Sequence, residues 1–177
     1  MKRLWTYLLV LVVLAFSPLQ AKASDGEKTL SLGGGYAAAS LNDLWVHGGG
    51  LRAGAGWWVS DFWILDGNLF YAGAYGDSDL HQLFGADASF RWVIDATQWV
   101  PSIGVTAGWL GAYSPVLDGF KTTYGFAGGT VCLEYRSKRE KSLQLCADVG
   151  YLPFDDDMDM FVLVNIDFQA YLPYFFE

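Results

Sequence analysis

The sequence lacks a long apolar run beyond its first residues, and it is poor in charge. After residue 23, no uninterrupted apolar stretch of about 18 residues occurs, which excludes a membrane-spanning helix from that part of the chain. Charged residues make up 17% of the chain, below the roughly 25% that is usual for soluble domains. An apolar chain without a membrane helix favours the other structure that can span lipid, which is a closed β-barrel.

Basic residues are also scarce. The chain has 11 Lys and Arg against 19 Asp and Glu. Loss of the first 23 residues would remove Lys2, Arg3 and Lys22, and the remaining 8 basic residues against 19 acidic ones give a formal charge near −11. Binding to nucleic acid requires clustered Lys and Arg that neutralise phosphates. The sequence therefore excludes nucleic acid as a leading partner.

The N-terminal segment is typical of a secretory signal peptide. Lys2 and Arg3 precede an apolar run over residues 4–16, and small residues flank the expected cleavage site after Ala23. The run of about 13 residues is shorter than the roughly 20 of a transmembrane helix, which favours cleavage over an anchor. The residue directly after the expected cleavage site is Ser24 and not a cysteine, which argues against a lipoprotein. We therefore expect a signal peptide over residues 1–23 and one domain over 24–177.

The mature part alternates between apolar and small or polar residues with a period of two, which indicates β-strands. Each alternating segment has about ten residues, the length that a tilted strand needs to cross a bilayer. The sixth is less regular, and we expect a bulge near Gly128-Gly129. The pattern predicts an all-β fold, a closed antiparallel up-and-down transmembrane barrel of about eight strands. The predicted strands are 28–39, 49–59, 63–75, 82–93, 99–110, 122–135, 142–151 and 162–172.

The predicted connections alternate in length. Short turns on one side with longer loops on the other are typical of outer-membrane barrels, with the turns and both termini in the periplasm. The short connections are 60–62, 95–98 and 136–141, and the longer ones are 40–48, 76–81, 111–121 and 152–159.

Side-chain volume decides which face meets lipid, because a soluble lipocalin-type barrel also alternates. The interior of an eight-stranded barrel is just wide enough to be filled by side chains. The set rich in Trp, Tyr, Phe and Leu is too bulky for that space, whereas the opposite set of Gly, Ala, Ser, Thr and a few charges fits it. Lipid-facing aromatic residues near the strand ends are expected to form interfacial girdles. They are Trp57, Trp92, Trp99, Trp109, Tyr135 and Tyr151.

The same assignment directs several charged residues into the lumen. Buried charges must be paired or hydrogen-bonded. We expect salt bridges that fill the lumen, with Arg52 and Arg91 each serving more than one carboxylate. The alternative is a proton or ion path, which would make the protein a narrow ion channel; a general porin is not expected from eight strands. The predicted luminal network comprises Arg52, Asp66, Asp87, Arg91, Glu134, Asp148 and Asp167.

The two cysteines fall on adjacent predicted strands. Pairing the sixth and seventh strands through a turn near residue 139 places Cys132 opposite Cys146 and Leu133 opposite Leu145. Both cysteines point inward, and the compartment expected for a secreted chain is oxidising. A cross-strand disulfide is predicted if the geometry permits bridging, and two buried free thiols are the alternative.

The end of the chain resembles the terminal strand that the outer-membrane assembly machinery recognises. Alternating apolar residues include Phe168, Leu172, Tyr174 and Phe176, although Pro173 and Glu177 depart from the pattern. Over residues 24–177 the chain resembles the small OmpA-type and OmpX-type barrels in strand count, loop asymmetry and polar lumen. The resemblance implies a monomer in the outer membrane of a Gram-negative bacterium, in contact with membrane lipids and lipopolysaccharide. It implies no single activity and no cofactor, and it leaves the extracellular partner open.

An enzymatic alternative depends on the outward loops. His47 in the first loop, with Asp77 and Ser78 in the second, resembles the His and Asp-Ser of the lipid A palmitoyltransferase. A histidine base and a serine hydroxyl can serve acyl transfer. That family also has an N-terminal amphipathic helix and an acyl pocket, which this sequence does not indicate. A non-enzymatic structural or surface-interaction barrel is therefore preferred, with His81, the other histidine, also assigned to an outward loop.

The last outward loop is acidic. Carboxylate oxygens suit Ca²⁺ or Mg²⁺, so this run is a candidate metal site. It lacks the ligand spacing and the glycine of a known loop motif, and a solvated loop is preferred. The run comprises Asp155, Asp156, Asp157 and Asp159.

Overall fold

The chain forms a closed antiparallel barrel of eight strands in a computed structural model. The structure describes residues 26–41, 43–77, 79–94, 98–114, 119–138, 141–152 and 158–172. The strands are β1 (Lys28–Leu41), β2 (Leu44–Ser60), β3 (Trp63–Gly76), β4 (Asp79–Val93), β5 (Trp99–Ser114), β6 (Gly119–Lys138), β7 (Lys141–Tyr151) and β8 (Met158–Leu172). Each strand pairs with its neighbour in sequence, and β8 closes the barrel against β1. In these ranges no helix is long and apolar enough to cross a membrane.

Alternation of side chains decides which residues point inward. On β2, the Leu51 side chain is 67% exposed on the outer face, whereas the adjacent Arg52 is 6% exposed inside. The predicted fold class is confirmed. The barrel has two ends: the terminal end, where β1 begins and β8 ends, and the far end, where β1 meets β2 and β3 meets β4.

The outer face is an apolar band with aromatic residues at both ends. Between the strand ends, the described outward positions carry no Asp, Glu, Lys or Arg. Such a surface is stable in lipid, and a soluble lipocalin-type barrel would need a polar exterior. Outward aromatic residues at the terminal end are Trp57, Trp63, Phe90, Trp92, Trp99 and Tyr135, and those at the far end are Tyr36, Trp45, Tyr71, Tyr75, Trp109, Tyr113 and Tyr151.

Two of the four longer loops predicted at the far end are wrong. β1 continues to Leu41 and β2 begins at Leu44, so the predicted loop 40–48 shrinks to two residues; the predicted loop 76–81 shrinks in the same way between Gly76 and Asp79. The polar and glycine-rich composition suggested loops, but the strand alternation continues through it. Asp43 and Asp77 have positive φ angles of 64° and 48°, the left-handed conformation that two-residue hairpins use.

The bulge predicted near Gly128-Gly129 is also wrong. From residue 125 to residue 135, β6 keeps one phase, and Gly128 pairs regularly with Thr106 and Gly150. Phe126 points into the barrel, so the outward row of large residues is interrupted without any change of phase. The register shifts instead where β5 passes from Leu110 to Ala112, and again toward the β6–β7 turn.

The predicted register of β6 and β7 is confirmed. Cys132 pairs with Cys146, and Leu133 pairs with Leu145. The two sulfurs form a disulfide, with Cα atoms 4.1 Å apart and both residues buried. The free-thiol alternative is therefore excluded, and the bond joins two adjacent strands at the middle of the barrel.

Candidate functional site

Inward side chains form three layers along the barrel axis. A central polar network lies between an apolar cluster at the far end and a mixed aromatic and charged cluster at the terminal end. All seven charged residues that the sequence assigns to the lumen point inward, and each is less than 10% exposed.

Arg52 is the hub of one half of the central polar network. Its Nη1 donates to Asp148 Oδ2 at 2.7 Å, and its Nη2 lies 3.5 Å from Asp87 Oδ1. Asn68 donates a further hydrogen bond of 2.7 Å to the same Asp87 oxygen. One guanidinium therefore serves two carboxylates on strands from opposite sides of the barrel, as predicted.

Arg91 organises the other half, and among the described residues it forms hydrogen bonds with one carboxylate. Both Nε and Nη2 contact Asp66 Oδ2 at 2.7 Å, and Nη1 donates to Ser102 Oγ at 3.1 Å. Ser89 donates to the same Asp66 oxygen at 3.3 Å. The Ser102 hydroxyl thus accepts from the remaining Arg91 nitrogen, and the Ser89 hydroxyl adds a donor to the Asp66 carboxylate.

The central layer holds more carboxylates than cations. Asp66, Asp87, Asp148 and Asp167 face two guanidiniums, and Asp148 Oδ1 and Asp167 Oδ1 are buried without a hydrogen-bond partner among the described residues. The cavity beside Asp167 has a volume of about 10 Å³, close to the space of one water molecule. The side chains of the polar layer therefore leave free space for about one water molecule.

Glu134 belongs to the terminal-end cluster and not to the central layer. It accepts hydrogen bonds from Arg136 Nε at 3.0 Å and Nη2 at 3.3 Å, and from the Tyr171 hydroxyl. The Arg136 guanidinium lies 5.1 Å from the ring centre of Trp58 and 5.3 Å from that of Tyr171, within cation–π range of both. Ile64, Val93 and Val100 complete this cluster.

The sequence did not predict this arrangement: Arg136 falls in the predicted short connection 136–141, and Trp58 and Tyr171 had no assigned role inside the barrel. The alternation of the strands could have predicted it, because Trp58 is an even number of residues from Arg52 on β2 and Arg136 is an even number of residues from Glu134 on β6, so that each pair faces the same side.

The far-end cluster is built from large apolar side chains inside the barrel, where only small and charged ones were expected. The Phe126 and Phe161 rings meet edge to face with centres 4.6 Å apart, and Phe70 stacks on Phe161 at 6.2 Å. Glycines provide the room: a Cβ on Gly150 would lie 2.0 Å from the Phe161 ring. Leu41, Leu83, Leu110, Leu152 and Leu163 are packed in the same cluster.

His81 lies inside the far end, so its assignment to an outward loop is wrong. The side chain is fully buried on β4; its Nδ1 lies 2.7 Å from Ser114 Oγ and its Nε2 lies 3.2 Å from the Gly76 carbonyl oxygen. Because a carbonyl only accepts, Nε2 carries a proton in its contact with Gly76. The imidazole thus joins β4 to the end of β3 and to the end of β5.

The residues of the acyltransferase alternative that the structure describes lie at the same end of the barrel without a hydrogen bond between them, since His47 pairs with Tyr75, two positions before Asp77. His47 lies on β2 with its side chain outward, and its ring centre is 6.2 Å from that of Tyr36. Asp77 is exposed in the β3–β4 connection, and no hydrogen bond joins it to His47. Ser78 lies outside the described residues.

Several other predicted features also lie outside them. The signal peptide over residues 1–23, the acidic residues Asp155 to Asp157, and the C-terminal Tyr174 and Phe176 are in this group. Asp159 is the second residue of β8, and its side chain is not among those described. Phe168 and Leu172 face outward on β8, 49% and 38% exposed.

Comparison with known proteins identifies the fold. No protein-family model matches the chain, and no curated protein matches it. Among solved structures, Neisserial surface protein A matches with a TM-score of 0.66 and 16% identity, covering 81% of this chain and 96% of that one. OprG from Pseudomonas aeruginosa matches with a TM-score of 0.51 and 8% identity, over 84% of this chain and 98% of that one.

Ail, the attachment invasion locus protein of Yersinia pestis, matches with a TM-score of 0.50 and 11% identity, over 84% of this chain and 99% of that one. At such identities the likeness shows the fold. The chain has the fold of the small eight-stranded outer-membrane barrels, which confirms the resemblance drawn from the sequence.

Proposed function

We propose that the protein is an integral outer-membrane barrel with a sealed interior, which has a structural or surface-interaction role and is not a general porin. The observation that carries the proposal is the layered interior. The polar network, with its cavity of about 10 Å³, lies between two clusters of tightly packed aromatic and aliphatic side chains. A solute that entered from either end would first have to displace buried rings.

The location in the membrane is supported by the outer face and by the fold. The uncharged outward band and the two aromatic belts suit a bilayer with its interfaces. In this proposal, residues 1–23 direct secretion and are removed, and the C-terminal strand with Phe168, Leu172, Tyr174 and Phe176 engages the assembly machinery. The terminal end faces the periplasm and the far end faces outward, where exposed Asp43, Asp77 and Asp79 meet the surroundings.

A liposome-swelling assay tests the sealed interior. Vesicles that contain the purified protein are expected to exclude small sugars as completely as vesicles without protein, while a general porin in parallel vesicles admits them. Swelling at a rate above that of empty vesicles would overturn the proposal.

Impermeant labelling tests the orientation. An Asp77→Cys variant on intact cells is expected to react with a membrane-impermeant maleimide, and a matched Asp61→Cys variant at the opposite end is expected to stay unlabelled until the cells are lysed. Both positions are exposed turns, so they differ only in the side of the membrane. The reverse pattern would place the termini outside.

Mass spectrometry of lipid A distinguishes this role from the acyltransferase alternative. Cells with and without the gene are expected to have the same lipid A. A difference in acylation that is abolished by His47→Ala or Ser78→Ala would establish the enzyme instead.

A further inference from the structure

The disulfide between Cys132 and Cys146 is enclosed within the barrel. Both cysteines point inward from the middle of β6 and β7 and are 2% and 3% exposed. The neighbouring Leu133 and Leu145 point the opposite way, on the face that the proposed function places in lipid. The bond therefore has the barrel wall on one side and the packed interior on the other.

The interior holds little free space beside the two sulfurs. The cavity that Cys132 and Cys146 help to line has a volume of about 10 Å³, close to the space of one water molecule. The cluster around Phe161 covers one approach along the barrel axis, and the cluster around Trp58 covers the other. A cysteine carried on another chain is much larger than this cavity, so it cannot contact either sulfur of the closed barrel.

Charge in the same layer also opposes a reaction inside the closed barrel. Exchange between thiols and disulfides begins when a thiolate attacks a sulfur. Asp66 and Asp167 line the same cavity as the cysteines, and so do Arg52 and Arg91, whose hydrogen bonds are directed to carboxylates. An entering thiolate would add a further negative charge to a buried layer that already has more carboxylates than cations, which costs free energy.

The open chain, by contrast, can bring the two thiols together locally. Cys132 and Cys146 are 14 positions apart, and closing so short a loop costs little conformational entropy. Pairing of β6 with β7 places the two residues directly opposite each other, so this hairpin alone aligns the sulfurs. The sequence contains two cysteines in all, so one oxidation gives the single intramolecular bond that is possible, and no later rearrangement is needed.

We propose that the disulfide forms before the barrel closes, and that the open chain is the substrate of a periplasmic thiol oxidase, a protein that presents a reactive disulfide. This inference rests on the export that the proposed function assigns to the chain. One cysteine thiolate attacks the oxidase disulfide, and a mixed disulfide forms as one oxidase sulfur leaves. The second cysteine thiolate then attacks the chain's own sulfur in the mixed disulfide. The Cys132–Cys146 bond forms, and the oxidase leaves as a dithiol that has gained two electrons and the two thiol protons.

Oxidation of the purified protein in two states tests this order. The chain is refolded into detergent micelles with a reductant, checked for heat-modifiable gel migration, freed of reductant and mixed with oxidised glutathione. The same mixture is made with the chain unfolded in urea, and free thiols are counted by alkylation with a maleimide-linked polymer. We expect the closed barrel to be oxidised at least about a hundredfold more slowly than the open chain, because exchange must await unfolding.

Equal rates in the two states would overturn the proposal. A reduced chain that gives no heat-modifiable band would support the same order, because closure of the barrel would then require the bond.

An exposed cysteine provides the matched control. Asp61 lies in the exposed turn between β2 and β3, so Asp61→Cys, combined with Cys132→Ser and Cys146→Ser, presents one thiol outside the barrel. This variant is expected to form a mixed disulfide with glutathione at similar rates when folded and when unfolded. A hundredfold lower rate in its folded form would show that the micelle slows the reagent, and would overturn the argument from burial.

Experiments in cells separate this order from the proposed location. When the outer-membrane assembly machinery is depleted, pulse-labelled chain without heat-modifiable migration is expected to contain the disulfide already and to have lost residues 1–23. Unassembled chain with free thiols beside an oxidised barrel would refute the order alone. Free thiols in every form of the chain, together with an intact N-terminal segment, would refute the export, and the comparison of rates in micelles would still stand.

Discussion

Replacement of Arg52 by methionine tests whether the central polar network is held by paired charges. Arg52 is 6% exposed and contacts Asp148 at 2.7 Å and Asp87 at 3.5 Å. Met keeps the apolar stem and removes the charge, so two carboxylates lose their cation inside a layer that already has more acids than bases. Breaking a buried pair in this way costs about 3–5 kcal/mol, and we expect Arg52→Met to lose that much free energy of unfolding.

The assay is equilibrium unfolding by urea of the protein reconstituted in lipid vesicles, followed by tryptophan fluorescence and by gel migration. Two companion variants make the result specific. Arg52→Met combined with Asp148→Leu removes both charges of the closest pair and is expected to recover part of the loss. Asp167→Asn removes a carboxylate whose Oδ1 has no protein partner and is expected to keep at least the stability of the wild type.

The reasoning would be refuted by an Arg52→Met loss below about 1 kcal/mol, the value typical of a solvent-exposed pair. It would also be refuted if Asp167→Asn destabilised the barrel as much as Arg52→Met. The first result would mean that water reaches these groups, and the second would mean that the Asp167 carboxylate is stabilised by a charge in the same layer.

Two further predictions concern packing. Cys146→Ser removes the disulfide to Cys132, 14 positions away in the sequence, and should lower the free energy of unfolding by about 2–4 kcal/mol under oxidising conditions. Addition of a reductant to the unfolded wild type should lower its refolded stability to the same level. A variant as stable as the oxidised wild type would contradict this prediction. Gly150→Ala places a Cβ against the Phe161 ring and should lower the free energy of unfolding by about 1–3 kcal/mol in the same urea assay. The control is the outward Gly129→Ala, whose Cβ would have no atom nearer than 3.8 Å and which should change that free energy by no more than about 0.5 kcal/mol. Equal effects of the two substitutions would show that the far-end cluster is loosely packed.

The parts of the fold that depend on strand parity could be predicted from the sequence. Period-two alternation determines which residues face lipid, and it directs Arg52 and Asp148 inward. A short turn near residue 139 fixes the β6–β7 register, so the pairing of Cys132 with Cys146 follows from counting. These features depend on local geometry, which a strand repeats at every second residue.

The parts that depend on space in the lumen could not be predicted in the same way. Large inward rings such as Phe126 and Phe161 fit only because glycines on neighbouring strands leave room, and those neighbours are known only from the three-dimensional register. Composition was a poor guide to loop length too. His47 and His81 lie among polar and glycine residues that resemble a loop, yet two-residue turns with Asp at positive φ allow the strands to continue through them.

The central claim is that the barrel interior is sealed, and recording of ion current across a planar bilayer tests it most directly. With the purified protein in a bilayer that separates two salt solutions, we expect no current steps above the background of the bare bilayer. Regular single-channel steps from the wild-type protein would contradict the sealed interior.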